Sequence, residues 1–423
     1  MNELRMRQPN YHARVHKGAP DQYLDKIFEI LSKESNSPAL YNDDVIVETL
    51  VRNGYDLTDA RDYTGVGCVE PVCQGKSFSS TDAALLNVPI MLELALNQGK
   101  RFGSHLQTGP KTIAPSEMTS MDDVKQAFET QLGYFIKKLI TDLQSIEKAN
   151  AAYHPTPLTS MLIDGCLENG TCSTTGGATY NFSGIQCVGP ADTGDALYVI
   201  DKAVFQDKKI TLPGLVGLLK RDFQDERWRT YLRSIDKFGN DNEEVDEYTL
   251  YVLNTFTGNL NGRMNTRGGR YTTGLYSVTS HQYFGEVTGA LPNGRRKGES
   301  LASGIAPSNG QDRLGPTAML NSVNRIDARN FANGLNLNVK WDSNSIRGQT
   351  GRLALKNILK TYFRRGGMQV QFNVLDPSIL LRARDNPDAY PNLLVRVSGY
   401  SAYFNDLTPE MKDEIIQRTS ISI

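Results

Sequence analysis

Apolar residues recur at helical spacing in several stretches of the chain and at strand spacing in two. In 21–33, Leu24, Ile27, Phe28 and Leu31 fall on one face, which predicts an amphipathic helix. Residues 43–53 predict a second short helix ending at Gly54, a C′ glycine. The clearest period runs over 121–149, where Val124, Phe128, Leu132, Phe135, Leu139, Leu143 and Ile146 follow the 3.6-residue repeat. Residues 248–260 predict a further helix. Leu85, Leu86, Ile90, Leu92 and Leu94 predict one resuming near Asp82, with Pro89 marking a kink or a late start. Near the end, Met368, Val370, Phe372 and Val374 alternate with Gln369, Gln371 and Asn373, the pattern of a strand, and 393–397 predicts another. Thr408 then caps a last helix with Pro409 at its first position and Met411, Ile415 and Ile416 on its buried face.

Two stretches break these patterns. Residues 57–82 are rich in Gly, Ser and Thr and read as a strand end and loop. Residues 262–317 are dense in Gly, Arg, Asn and Ser, and loops this long in a compact chain are usually functional. Mixed helices and strands without tandem repeats give the class α/β. A formal net charge of -1 points to neither a nucleic-acid nor a membrane partner. No apolar run is long enough to span a bilayer, and the first twenty residues lack the apolar core of a secretory signal. Five cysteines, an odd number without an export signal, predict reduced thiols and a cytoplasmic location. No CxxC exists and the histidines are scattered, so no metal site is predicted.

Two segments can carry chemistry. In Gly67-Cys68-Val69-Glu70-Pro71, an extended backbone would aim Cys68 and Glu70 to the same side, a thiol and a base in one cavity. The same residues also suit a small buried cysteine beside an unrelated glutamate. In Arg396-Val397-Ser398-Gly399-Tyr400-Ser401-Ala402-Tyr403-Phe404, a glycine directly after a strand suits a tight turn. The aromatics around it predict instead a buried loop packed by Tyr400, Tyr403 and Phe404.

RVSGYSAYF resembles the signature loop of glycyl radical enzymes of the pyruvate formate-lyase superfamily, and GCVEP resembles their cysteine loop. The two lie 331 positions apart, close to the family's separation. PALYND (38–43), RGGRY (267–271), LPNGRRKGE (291–299) and GPTA (315–318) resemble further family segments in family order. The resemblance implies a radical stored at Gly399 and a thiyl radical at Cys68. A glycine Cα radical is delocalised by its amide and carbonyl, with no side chain to force it out of plane. It also implies a separate S-adenosylmethionine activating enzyme with an iron–sulfur cluster as partner.

Pyruvate formate-lyase itself uses two adjacent cysteines, whereas Gly67 precedes Cys68 here; a formate acetyltransferase is the alternative reading. Glu70 matches the base of the eliminase and decarboxylase branches. Asp82 matches an acid that touches substrate hydroxyls in diol dehydratases, and equally suits the N-terminus of a helix. Leu85 stands where the choline lyase branch has tyrosine. Tyr276 and Thr279 fall in a segment that lines substrate pockets in relatives. The implied activity is a glycyl radical lyase, dehydratase-like, acting on a small hydroxylated substrate. The implied fold is half of a ten-stranded α/β barrel, with 1–290 as the half-barrel bearing the cysteine loop and 291–423 as the glycine radical domain. Family members run to roughly twice this length, so the chain is expected to be a fragment or one subunit of a split enzyme. An N-terminal half or a further copy of itself would complete it. Alone, it could also be a non-catalytic radical-bearing subunit.

Overall fold

A computed structural model of the chain describes residues 11–33, 36–346, 348–418 and 420–421, so the first half of the segment read for a secretory signal lies outside them. Its strands are β1 (His12–Val15), β2 (Ala39–Asn42), β3 (Tyr63–Val66), β4 (Glu70–Cys73), β5 (Ser80–Asn87), β6 (Ser183–Val188), β7 (Tyr271–Gly274), β8 (Asn338–Asp342), β9 (Gln369–Leu375), β10 (Leu394–Arg396), β11 (Ser401–Tyr403) and β12 (Ser420–Ile421).

The architecture is mixed α/β. β5, β6 and β7 pair in parallel. A parallel bridge from Leu275 to Leu335 carries the array to the segment leading into β8, and β8 pairs with β9 in parallel. Helices connect these strands: Val88–Ala95 and Met121–Tyr153 between β5 and β6, and Pro190–Ile200 and Glu243–Leu260 between β6 and β7. Parallel neighbours require such crossovers. β2 runs antiparallel to the far side of β9, β1 pairs parallel to β2, and β12 pairs with β8. The array stays open: among the described residues, β5 has a partner on one side only. The main core lies between this array and the helices. A second, smaller core of Leu375, Leu380, Ala383, Val395, Val397, Ala402, Phe404, Met411 and Ile415 holds the C-terminal segment together. No helix of the described residues is long and apolar enough to cross a membrane.

The periodicities place most elements. Asp21–Leu31 buries Leu24, Ile27, Phe28 and Leu31, and Asp43–Arg52 ends before Gly54. The Thr408 side chain accepts from the Met411 amide at the start of Pro409–Gln417, whose Met411 and Ile415 are buried while Ile416 is half-buried. Four expectations change. No helix resumes at Asp82: 80–87 is strand β5, and the helix starts at Val88 with Pro89 in its first turn. A parallel strand packed under helices carries no simple alternation, so its apolar run is indistinguishable from a helix by period. In the long helix Ile146 is exposed, because the buried stripe passes through Ile136, Ile140 and Leu143 to Glu147. That glutamate fills the end of the stripe by pairing with Arg267 at 3.2 Å. The region 262–317 is not continuous loop: it contains β7, a helix at Ser280–Val287 and the start of one at Gly315–Val323. Finally, β9 does not have a solvent face, since Gln369, Gln371 and Asn373 are buried with the apolar residues between them.

Candidate active site

β3 and β4 form an antiparallel hairpin in which Val66 pairs with Glu70, leaving Gly67, Cys68 and Val69 as the turn. Gly67 takes φ 56°, a left-handed conformation open to glycine at little cost. Cys68 therefore sits at the tip of a turn and not on an extended strand. It still meets Glu70, because that carboxylate folds back over the turn. Glu70 Oε2 accepts from the Cys68 amide at 3.0 Å and the Val69 amide at 2.6 Å. The Tyr41 hydroxyl donates to the Cys68 carbonyl at 2.8 Å, which fixes the tip from the β2 side.

β10 and β11 form the second hairpin, and the Val397 amide donates to the Tyr400 carbonyl at 2.9 Å. Gly399 lies buried at its tip with φ 87°. A β-carbon built there would come within 2.1 Å of Cys68 Cβ and 2.7 Å of Cys68 Sγ. No side chain fits, and the α-hydrogen that an L side chain would replace points at Cys68. The two loops singled out in the sequence thus meet tip to tip.

Residues given no chemical role in the sequence hold this second loop. The Arg396 guanidinium donates to the Gly399 carbonyl at 3.0 Å and to Gln371 Oε1 at 2.9 Å. Asn373 clamps the Arg396 backbone on both sides, accepting from its amide at 2.6 Å and donating to its carbonyl at 2.7 Å. Arg418 donates to the Arg396 and Val397 carbonyls at 3.1 and 2.8 Å. Asn336 donates to the Ser398 hydroxyl at 2.8 Å. The sequence signal for two of these was the polar half of the β9 alternation, which faces the interior and carries Gln371 and Asn373.

The phenol of Tyr276, fully buried just after β7, lies 2.6 Å from Glu70 Oε1 and 2.7 Å from Asp82 Oδ1. Asp82 stands on β5 and is itself exposed. Cys68, Glu70, Asp82, Tyr276 and Gly399 therefore form one cluster. Thr279 is exposed at the N-terminal end of Ser280–Val287, and among the described residues no side-chain hydrogen bond ties it to the cluster. Tyr400 is half-buried, and with Tyr11, His12, Thr64, Gly65, Gly67 and Cys68 it lines a cleft of about 610 Å³ beside the two tips.

Burial pushes the Cys68 thiol up to about 12, with Glu70 and Asp82 adding to the effect and Arg396 opposing it. Burial likewise raises Glu70, against the Tyr276 hydroxyl and the Val69 amide, which favour its anion. Asp82, exposed as a residue, has its carboxyl partly shielded from water on the phenol side, which raises it as well, with the Tyr276 hydroxyl opposing. The arrangement offers a neutral thiol, a buried carboxylate with three donors, and a second carboxyl joined to it through one phenol.

The pyruvate formate lyase-like family matches residues 1–285, and the glycine radical family matches residues 301–405. The chain is 36% identical to a trans-4-hydroxy-L-proline dehydratase of Clostridioides difficile, over 99% of the chain and 53% of that protein. It is 31% identical to a (2S)-3-sulfopropanediol dehydratase of Klebsiella oxytoca, over 99% of the chain and 51% of that protein. The structure superposes with a TM-score of 0.97 on the glycerol-bound form of the B12-independent glycerol dehydratase from Clostridium butyricum, at 39% identity, over 99% of the chain and 53% of that structure. The chain spans about half the length of the curated relatives it matches.

Proposed function

The chain belongs to the pyruvate formate lyase-like family of glycyl radical enzymes, and on that premise we propose that it is the radical-bearing half of a lyase that eliminates water, or a similar leaving group, from a small hydroxylated substrate. The observation that carries this reading is the contact of Gly399 with Cys68, with Glu70 alongside. Gly399 stores the radical and Cys68 relays it. The Cys68 thiol gives its hydrogen atom to Gly399, and the resulting thiyl takes one from a substrate carbon. Glu70, held by three donors, takes the proton from the hydroxyl on that carbon. The ketyl left behind expels the neighbouring hydroxyl more readily than the neutral radical does. Asp82 and Tyr276 face the reacting groups. Thr279, exposed on this half, is assigned to the substrate side only if the complementary half covers it. The burial of the Gly399 loop keeps water and oxygen from the radical.

The radical on Gly399 would be installed by a separate S-adenosylmethionine activating enzyme carrying an iron–sulfur cluster. The domain boundary falls near 290, with the cysteine loop before it and the glycyl loop after it. The remaining half of the site comes from an N-terminal half-barrel chain or a further copy of this one, in the cytoplasm, where the five thiols stay reduced. Dehydratases among the similar proteins support elimination; the glycine at position 67, where acyl transfer between sulfurs would need a second cysteine, speaks against a formate acetyltransferase.

The test is anaerobic activation followed by electron paramagnetic resonance. The expected signal is a doublet from the one remaining α-hydrogen, absent in Gly399→Ala, with air cleaving the activated chain at that residue. A doublet that survives the substitution would overturn the assignment.

A further inference from the structure

A single phenol bridges the two carboxyl groups of the site. Tyr276 Oη is 2.6 Å from Glu70 and 2.7 Å from Asp82, and the ring is fully buried. Both separations are those of O–H···O hydrogen bonds. Yet the phenol has one hydrogen to give. Two such contacts hold together only if a second proton sits on one of the carboxyls, which then donates to the phenol oxygen. Glu70 Oε2 already accepts two backbone amides, whereas among the described residues the Asp82 carboxyl meets the phenol alone. The amides favour the anion at Glu70. The second proton therefore resides on Asp82.

From this juxtaposition we propose that Tyr276 is a proton relay, which makes Glu70 the base and Asp82 the acid of one elimination and returns the proton between them after each turnover. The proposal rests on the lyase reading above. The substrate radical gives its hydroxyl proton to Glu70. The carbon–oxygen bond to the neighbouring hydroxyl breaks, and that hydroxyl takes the Asp82 proton and leaves as water. Glu70 is now neutral and Asp82 anionic. Tyr276 passes its own hydrogen to Asp82 and takes one from Glu70, which restores the starting state. The hydrogen atom held by Cys68 returns to the product carbon. No proton is gained or lost, and no oxidant or reductant is consumed. Burial raises both Glu70 and Asp82, in keeping with one proton held between them. The titratable groups around them are Cys68 in the cysteine turn, which feels both carboxyls, and Tyr41 on β2, which feels Glu70.

Two measurements test the relay. The first needs no turnover: infrared spectra of the unactivated protein across pH should show one protonated carboxyl persisting at neutral pH and lost in Asp82→Asn. A site with both carboxyls ionised at pH 7 would overturn the proposal. The second uses the activated, assembled enzyme with a panel of small diols and hydroxy acids. Tyr276→Phe should keep the Gly399 radical and the exchange of hydrogen between substrate carbon and Cys68, but lose about 10²-fold or more in product formation, in line with the worth of a positioned proton donor. 3-Fluorotyrosine at 276, with its OH retained, should restore turnover. Wild-type turnover in Tyr276→Phe would sink the relay while leaving Cys68 and Gly399 in their roles. If no member of the panel turns over in the unaltered enzyme, the lyase reading fails, and the infrared titration still decides whether the proton is shared.

Discussion

A thiol that relays hydrogen atoms has to stay protonated, and at Cys68 burial, Glu70 and Asp82 together lift it to about 12. Cys172 stands at the opposite extreme. Burial works against its anion, but hydrogen bonds from Ser160, Thr174 and the backbone hold it at about 6. The Thr156 amide, Ser160 hydroxyl and Thr174 hydroxyl all lie 3.3 Å from its sulfur. The thiolate is the nucleophile. Iodoacetamide at pH 7 should therefore label Cys172 first and leave Cys68 nearly untouched, with Cys68 labelling rising only in strongly alkaline solution; peptide mass spectrometry after timed quenching checks the order. Within the site, Cys68→Ser should abolish turnover but retain the Gly399 doublet, because an O–H bond is too strong to replace the thiol. Glu70→Gln should cut turnover by roughly 10²–10⁴, the usual worth of a general base. The loss of the base should also appear with pH: turnover falls as pH drops through the raised range of Glu70 and its anion is lost. Cys73→Ala, five positions beyond Cys68, should change little, as its side chain is buried in the main core. An equal rate for Glu70→Gln and the unaltered protein would defeat the elimination chemistry.

At the scale of elements, the C-terminal helix Pro409–Gln417 pins the glycyl loop. Glu414, fully buried, would be raised by burial, but Arg418 and His281 outweigh this and hold it at about 2. Glu414 Oε2 lies 2.9 Å from Arg418 and 3.7 Å from His281 Nε2, and Arg418 reaches the Arg396 and Val397 carbonyls. The folded value lies below the ordinary 4.5. Its contribution to stability is therefore full above that ordinary value and is lost as pH falls toward 2. Glu414→Gln leaves a buried guanidinium without its partner, a change that typically costs ~3–5 kcal/mol. The expected result is a lower melting temperature at pH 7, a weaker fall in stability between pH 5 and 2, and faster amide exchange in 394–403. Unchanged exchange there would show that the helix does not hold the loop. The Glu414–Arg418 pair stands at i,i+4 spacing, but the latch was not legible in the sequence, since His281 and the glycyl loop meet that pair only in the fold. The elements themselves were largely legible: the 121 helix, the β9 alternation and the Thr408 cap follow from local spacing. β5 was not, because burial under helices erases the period that would separate it from a helix. The tips bearing Cys68 and Gly399 were legible only through their likeness to a known family. Asp82 and Tyr276 came with the family, but the bridge between them appears only when β5 and β7 come to lie on either side of β6.

On the scale of the whole molecule, the chain has the architecture of an unfinished barrel. Its parallel array runs from β5 through β6 and β7 to β8 and β9, and among the described residues the far side of β5 has no partner. An open strand edge presents unpaired amides and carbonyls and invites pairing with another chain. Apolar side chains add to this: Tyr153, Leu158, Met161, Leu162 and Leu167 are all exposed within one stretch. Exposed apolar side chains gathered in one stretch favour a contact face or aggregation. The curated relatives that the chain matches are about twice its length, and on the proposed reading the edge takes a first half-barrel of the same kind. The expected behaviour follows from those two surfaces. Purified alone, the chain should self-associate, aggregate or melt without a cooperative transition. Mixed or co-expressed with a chain homologous to the first half of the relatives, it should form a defined complex that melts in one step. Sedimentation velocity and calorimetry on the two preparations read both outcomes. A second copy filling the same edge would appear as a dimer whose cooperativity depends on its own concentration and ignores the added half. A monodisperse monomer that melts cooperatively by itself would overturn the argument, because it would mean that β5 and the exposed stretch from Tyr153 to Leu167 are satisfied without any partner.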